Sequence, residues 1–464
     1  MSSGSSNFAM EHLPVSQGAG APPAPLTFGQ LSVFRVMQTL PFDRWPETYL
    51  SRVLRLPRGR RDQEVVTALQ MVASRHESVR TRFVDDVRGP TQEVLTAASL
   101  DIVRIDEPGC SETHAKELTG QAAGRRFDWE AGSCWRAVLI SDLGEPKFLG
   151  VVVDHIVADG PGLQRIVGEI RAVLGVGNSS DVALLRSEPP QPRELAVTQR
   201  SAAWRARRDA AVRRVDDLLK ELSPEVFPSP AAPREGRIAA VLTSEQSRRA
   251  LIRAAHRLGT SPHTVMLCLY TIAARALFER DDLALTLQSG NRVQPRWRGI
   301  VSSMNQYSAL PVARVPLEAG ITGVAAEVNR AALTAYSHGA YDLDVFRERV
   351  LQARGTEPSF DNFFNFQGHD LERHDTPEGP SDPSRTVVRQ VSSARQTGPR
   401  LDLKVGGREA LTVKLRVDPA LLGQERLGRL LMWFDYELQQ LAVRADVRAE
   451  AVVERCLGAI GARS

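Results

Sequence analysis

The sequence is poor in cysteine, with four in 464 residues: Cys110, Cys134, Cys268 and Cys456. They stand far apart, with no CxxC pair and no metal-ligand spacing. That argues against a disulfide-stapled scaffold and against a zinc or iron–sulfur module. Cys134 and Cys268 sit in apolar surroundings and read as core residues, so the expected compartment is reducing. Long hydrophobic runs are missing as well. No stretch reaches the length of a membrane span, and Met1-Ser2-Ser3-Gly4-Ser5-Ser6 lacks the basic start and apolar centre of a secretory signal. The expectation is a cytoplasmic protein with no membrane partner. Neither sign of charge dominates: 59 Lys and Arg against 55 Asp and Glu leave +4. The basic residues are scattered and not interleaved with aromatics, so nucleic acid is not an expected partner. Arg205-Ala206-Arg207-Arg208 reads as the wet face of a helix. A G-x-S-x-G elbow, a phosphate-binding P-loop, a G-x-G-x-x-G turn and a fixed-period repeat are all absent.

What is present describes a globular α/β chain. Apolar residues make up 42% and charged residues 25%, and the length allows two or three domains. Residues 1–25, rich in Ser, Gly, Pro and Ala, are expected to be a mobile, disordered tail. Asp62 is placed to cap a helix carrying Val66, Leu69, Val72 and Ala73 on one face. His76 and Arg80 follow, expected to pair with carboxylates. A helix over about Thr113 to Arg125 leads to Phe127-Asp128-Trp129, and strands around Ala137–Ile140 and Phe148–Val153 form a hairpin about the turn Asp142–Pro146. After it, Leu163, Ile166, Val167 and Ile170 recur at helical spacing. Pro-rich pieces at Glu188–Pro192 and Pro224–Pro233 flank a charged helix over about Glu194 to Leu222. The division between halves is placed there, over 186–235. The second half alternates strands and helices again. Pro262 to Phe278 is apolar all round and hence central, Leu401–Val405 and Leu411–Val417 form a strand pair, and 370–399 is expected to be a loop.

The chain is organised around Val151-Val152-Val153-Asp154-His155-Ile156-Val157-Ala158-Asp159-Gly160. An apolar strand ends abruptly in an aspartate and a histidine, and Asp159-Gly160 precedes the next helix. A titratable histidine at a strand-to-turn junction is a place for acid–base chemistry. Alone, it reads more readily as a hydrogen-bonded core residue than as a catalyst. Other stretches change that. Asp154-His155 to Asp159-Gly160 resembles the HHxxxDG motif of the condensation domains of nonribosomal peptide synthetases, with Asp154 in place of the first histidine. Arg75-His76-Glu77-Ser78-Val79-Arg80-Thr81-Arg82-Phe83 resembles their RHxxLRTxF element. Thr27-Phe28-Gly29-Gln30 is similar to their S/T-x-A-Q opening, and Phe127-Asp128-Trp129 with Trp135-Arg136 to their F-D-L…L-x-R element. Gly290-Asn291-Arg292, Met304-Asn305-Gln306 and Phe364-Asn365-Phe366-Gln367 resemble later elements, in the family's order.

The resemblance implies two chloramphenicol-acetyltransferase-like lobes in a V-shaped pseudo-dimer with a central tunnel, residues 26–185 and 236–464 forming the lobes. It implies an acyltransferase with no bound cofactor, taking its donor from the phosphopantetheine arm of an acyl or peptidyl carrier protein, or from CoA. The acceptor is a small-molecule amine or alcohol, and the product an amide or ester in secondary-metabolite (antibiotic) biosynthesis. His155 is the expected base, with Asp159 and Gly160 beside it. Asp159 is expected to shape the loop by pairing with Arg292. Gly160 is either an oxyanion donor or a plain turn glycine. Ser302, Ser303 and Asn305 either line the tunnel or seal the lobe interface. Asp154, Arg292 and Arg136 are expected in supporting roles, Asp154 facing the lobe interior, where it needs partners. A free-standing, monomeric enzyme is the first reading. An acyl-CoA-dependent acyltransferase of the same superfamily and a non-catalytic recruitment module are the alternatives.

Overall fold

The structure, a computed structural model, describes residues 10–17, 21–87, 89–132, 134–222, 236–280, 283–312, 318–358, 360–368, 371, 385–391, 398–444 and 446–461. The chain is mixed α/β and divides into two compact units. The first comprises residues 1–208 together with Gly290–Gln306, and the second Asp209–Ser289 with Tyr307–Ser464. The segment Gly290–Gln306, expected in the C-terminal lobe, is therefore part of the first unit.

The first unit contains β1 (Met10–Gln17), β2 (Ala21–Pro25), α1 (Phe28–Gln38), β3 (Leu50–Arg55), α2 (Asp62–Arg75), β4 (Thr81–Asp86), β5 (Gly89–Val94) and β6 (Ala97–Asp106). It continues with α3 (Glu112–Ala123), β7 (Trp135–Asp142), β8 (Glu145–Val153), α4 (Gly160–Val173), α5 (Ser179–Leu184) and α6 (Pro192–Arg200). Its main sheet has the order β1-β6-β7-β8-β3, and β2-β5-β4 form a smaller one. Side chains alternate across a strand, so β7 and β8, apolar at consecutive positions, must be covered on both faces. They are. Ala137, Leu139, Leu149, Val151 and Val153 pack with Val65, Leu69 and Val72 of α2 and Leu163, Ile166 and Ile170 of α4. Val138, Ile140, Phe148 and Val152 pack with Ala115, Leu118 and Ala122 of α3. The β7–β8 hairpin turns at Leu143 (φ 55°) and Gly144 (φ 81°), two left-handed residues that match the twist of the strands.

Two expectations in this unit are corrected. Met10–Gln17 and Ala21–Pro25 lie in the stretch read as a disordered tail, but both are strands. β1 pairs antiparallel with β6 and sets Leu13 against the core. The three prolines of β2 are tolerated because β2 is an edge strand. The long helix expected from Glu194 breaks after Arg200, and the chain restarts as α7 (Arg205–Glu221).

The second unit holds β9 (Ile238–Ser244), α8 (Glu245–Arg257), α9 (Pro262–Phe278), β10 (Ala284–Ser289), β11 (Gln306–Pro311), α10 (Ile321–Ser337) and α11 (Leu343–Arg354). After these come β12 (Phe363–Phe366), β13 (Val387–Val391), β14 (Leu401–Gly406), β15 (Leu411–Val417), α12 (Gln424–Val443) and α13 (Ala449–Ile460). They build a sheet of order β11-β10-β12-β14-β15-β9-β13. α9 is buried along nearly its whole length, as its uniform apolarity requires. β13 falls inside the stretch 370–399 that was expected to be a loop. Pro224–Pro233 lies outside the described residues. All four cysteines are buried thiols, and no helix among the described residues is long and apolar enough to cross a membrane.

One buried charge ties α4 to α2. Glu169, fully buried on α4, accepts from Arg75 Nε (2.9 Å), Arg165 Nε (2.9 Å) and His76 Nε2 (3.1 Å). Burial works to raise its carboxyl. The hydrogen bonds from His76 and Arg75 and the charge of Arg165 outweigh burial and hold it down at about 2, from an ordinary 4.5. A carboxyl depressed in the folded state contributes its full stability above about pH 4.5 and loses it as the pH falls towards 2. Glu169→Gln is expected to cost about 3 kcal/mol at pH 7 in urea unfolding, since it strands buried cations. That deficit should shrink as the pH falls from 4.5 to 2. A deficit independent of pH would refute the assignment.

Candidate active site

β8 ends at Val153 and α4 begins at Gly160; the turn between them carries the candidate residues. Asp154 heads the turn. Its Oδ1 accepts from Ile156 N (2.9 Å) and its Oδ2 from Trp129 Nε1 (2.8 Å), while its backbone N donates to Cys134 O (2.9 Å). Both carboxylate oxygens are thus used inside the fold. Trp129, the partner that sequence reasoning did not pick out, is itself fixed by rings. Trp45, Phe34 and Phe83 lie 4.4, 5.1 and 6.2 Å from it, centroid to centroid. Asp154 has no cation among these partners. Burial therefore dominates over its two hydrogen bonds and raises the carboxyl to about 6. Burial, and next the nearby Asp154, also keeps the Cys134 thiol well above its ordinary range, which removes it as a nucleophile.

His155 is half-buried, and its Nδ1 lies 3.4 Å from Ser303 Oγ. Asp159 is fully buried and caps α4, accepting from Gly162 N (3.0 Å). Its other oxygen accepts from Met304 N (3.2 Å), its own N donates to Ser302 O (3.3 Å), and Arg292 Nη2 forms an ion pair with it. Arg292 also reaches Ser302 O (3.4 Å). Asp159 therefore pairs with Arg292, and it clamps the Ser302–Met304 backbone as well.

Gly160 is exposed, and a Cβ built there meets nothing within 4 Å. As the first residue of α4, it has an N–H with no intrahelical acceptor. Ser302 and Ser303 are fully buried, whereas Asn305 is half-buried. It is Asn291 that bonds Met304 O (3.0 Å) and Gln306 Oε1 (3.3 Å). Arg136 works elsewhere, donating to Asp101 Oδ2 (3.2 Å) and to the α3 carbonyl of Ala122 (2.7 Å).

The Thr27–Gln30 element also belongs to this region. Thr27 and Gln30 cap α1 reciprocally, Gln30 N donating to Thr27 Oγ1 (3.1 Å) and Thr27 N to Gln30 Oε1 (2.9 Å). The helix start then meets the Ser303–Met304 backbone so closely that a Cβ at Gly29 would lie 2.3 Å from Ser303 O. Among the described residues no cluster of three or more His, Cys, Asp or Glu could hold a metal ion.

A carboxyl raised in the folded state contributes most below its ordinary value of 3.8, and that contribution is lost as the pH rises through about 6. Relative to Asp154→Asn, the wild-type chain is expected to lose about 3 kcal/mol of stability between pH 4 and pH 7, read by urea unfolding across that range. A flat difference would contradict the buried, cation-free environment of Asp154.

The family model described as Condensation domain matches residues 42–448. The chain is 27% identical over 254 residues to chondramide synthase cmdD of Chondromyces crocatus, covering 50% of the chain and 6% of that protein. It is 24% identical over 315 residues to phosphinothricin tripeptide synthetase PhsC of Streptomyces viridochromogenes, covering 65% and 28%. The chain thus spans under a third of the length of these relatives. In fold it is similar to the condensation domain of the monacolin K polyketide synthase MokA, with a TM-score of 0.72 and 16% identity over 93% of this chain and 100% of that one. It is also similar to a variant of the starter condensation domain of rhizomide synthetase RzmA in complex with C8-CoA and Leu-SNAC. There the TM-score is 0.68 and the identity 15%, over 92% and 96% of the two chains.

Proposed function

The chain belongs to the condensation-domain family, a family of acyl- and peptidyl-transferring enzymes, and from that premise we propose that it joins a thioester-bound acyl or aminoacyl donor to an amine or alcohol with His155 as the base. The donor is carried on the phosphopantetheine arm of a carrier protein, the acceptor is a small molecule, and the product belongs to nonribosomal peptide or related secondary metabolism. The observation that supports this most is the presentation of His155. It stands half-buried on a short turn whose two ends are pinned by buried carboxylates, Asp154 through Trp129 and Asp159 through Arg292 and Met304 N. Such bracing is what a catalytic imidazole needs, because misplacement by an ångström is costly in rate.

In the proposed reaction the acceptor N–H or O–H gives its proton to His155 as its heteroatom attacks the thioester carbonyl. The resulting oxyanion needs a donor, and the free N–H of Gly160 is the proposed one. Collapse breaks the C–S bond, and the proton returns to the departing thiolate. Arg292 and Asp159 hold the frame without exchanging a proton with substrate. A second reading, transfer from acyl-CoA, is supported by the RzmA domain held with C8-CoA; both donors share the phosphopantetheine arm. The recruitment-module reading is disfavoured by the intact bracing of His155.

His155→Ala is expected to lower turnover ~10²–10⁴-fold with the melting temperature unchanged, measured by mass spectrometry with one acyl group supplied on a carrier protein and on CoA. Full activity in the variant would rule out the base, and transfer from CoA alone would overturn the carrier-protein donor. Gly160→Ala is expected to fold normally, since its Cβ enters open space. It should lose activity through obstruction of the substrate. Undiminished turnover would show that the substrate does not pack against the Cα of Gly160.

A further inference from the structure

The two carboxylates that flank His155 in the chain are both engaged elsewhere: Asp154 with Trp129 Nε1 and Ile156 N, Asp159 with Gly162 N, Met304 N and Arg292. On the Nδ1 side of the imidazole stands a neutral hydroxyl, Ser303 Oγ, 3.4 Å from His155 Nδ1. Ser303 is fully buried, and its backbone has little freedom. On one side Ser302 O accepts from Asp159 N and from Arg292. On the other, Met304 N donates to Asp159 Oδ2. Gly29 packs directly against the Ser303 carbonyl. The fold itself therefore fixes where this hydroxyl points.

We propose that Ser303 is a positioning residue for acyl transfer: its Oγ accepts the Nδ1–H of His155 and holds the neutral imidazole in the tautomer that carries its lone pair on Nε2. This rests on the acyl-transfer reading above. A serine hydroxyl can donate or accept. If it donated to Nδ1, the proton would sit on Nε2 and that nitrogen could not act as a base. If it accepts, one contact serves both protonation states. The acceptor's proton passes to Nε2 as the new bond to the thioester carbon forms, and Nδ1–H stays on Ser303. When the C–S bond breaks, the Nε2 proton moves to the thiolate sulfur and the starting tautomer is restored. The role often filled by a carboxylate behind a catalytic histidine thus falls to a hydroxyl, with Asp159 acting at one remove by holding the segment that bears it.

The test is nitrogen NMR on the full chain with ¹⁵N-labelled histidine above neutral pH, His155 being assigned by its loss in His155→Gln. The wild-type ring should be protonated at Nδ1. In Ser303→Ala, and in the nearly isosteric Ser303→Cys, the population should move towards the Nε2–H form. kcat should fall about five- to tenfold, the weight of one neutral hydrogen bond, with KM within twofold, and Ser303→Thr should restore both readings. A wild-type His155 protonated at Nε2, or a tautomer indifferent to Ser303→Ala and Ser303→Cys, would overturn the proposal. A tautomer that responds as expected in a chain without acyl-transfer activity would instead overturn the catalytic reading and leave the Ser303–His155 pairing standing.

Discussion

The carboxylate of Asp159 has to be satisfied, and much of the site's geometry depends on how. An ionised group with no exposure to solvent is tolerated only when donors surround it. Here the donors come from separate stretches of chain: the first turn of α4, the Met304 amide, and the guanidinium of Arg292. The last two lie in Gly290–Gln306, far along the sequence, and this is the segment that joins the first unit although the chain on either side of it belongs to the second. Burying Asp159 without that segment would leave a charge with only the helix amide to answer it. The assignment of the segment to the first unit and the closure of the turn beneath His155 are one requirement.

Two other carboxylates without solvent exposure show how much partner chemistry weighs in the outcome. Glu169 and Asp154 are both shielded completely from solvent. Glu169 faces two arginines and a histidine and is held at about 2. Asp154 faces an indole and an amide and is raised to about 6. Hydrogen bonds from neutral groups are worth less than those from cations and do not overcome desolvation. The first carboxylate is a permanent anchor between α2 and α4. The second gains its proton in mildly acid conditions, directly beneath the turn that presents the candidate base.

Much of this was legible in the sequence. The hairpin of β7 and β8, the uniformly buried α9 and the pairing of Asp159 with Arg292 all follow from local pattern or motif order. What was hidden depends on contacts distant in sequence. β1 and β2 looked like a tail because residues 1–25 as a whole are rich in Ser, Gly, Pro and Ala, and only the presence of β6 and β5 to pair with makes them strands. Gly290–Gln306 carries no composition signal for the unit it joins. Ser303 could be placed near the site by motif order, but its approach to Nδ1 depends on the backbone clamp from Asp159 and Gly29. Gly29 looked like an ordinary departure from alanine until the proximity of the Ser303 carbonyl explained it.

The aspartate before His155 can be understood the same way. Two of the residues at which this chain differs from the motifs it resembles meet here: Asp154, where the motif has histidine, and Trp129, where the F-D-L element has leucine. The structure joins them by a hydrogen bond of 2.8 Å. A leucine brings no donor, whereas a buried tryptophan N–H needs an acceptor. Position 154 must also receive the amide of Ile156. A neutral imidazole has one acceptor nitrogen and could answer only one of these N–H groups, while a carboxylate answers both. Once tryptophan occupies 129, aspartate is the better residue at 154. The change then belongs to the packing beneath the turn, while Ser303 Oγ stays 3.4 Å from the Nδ1 of His155.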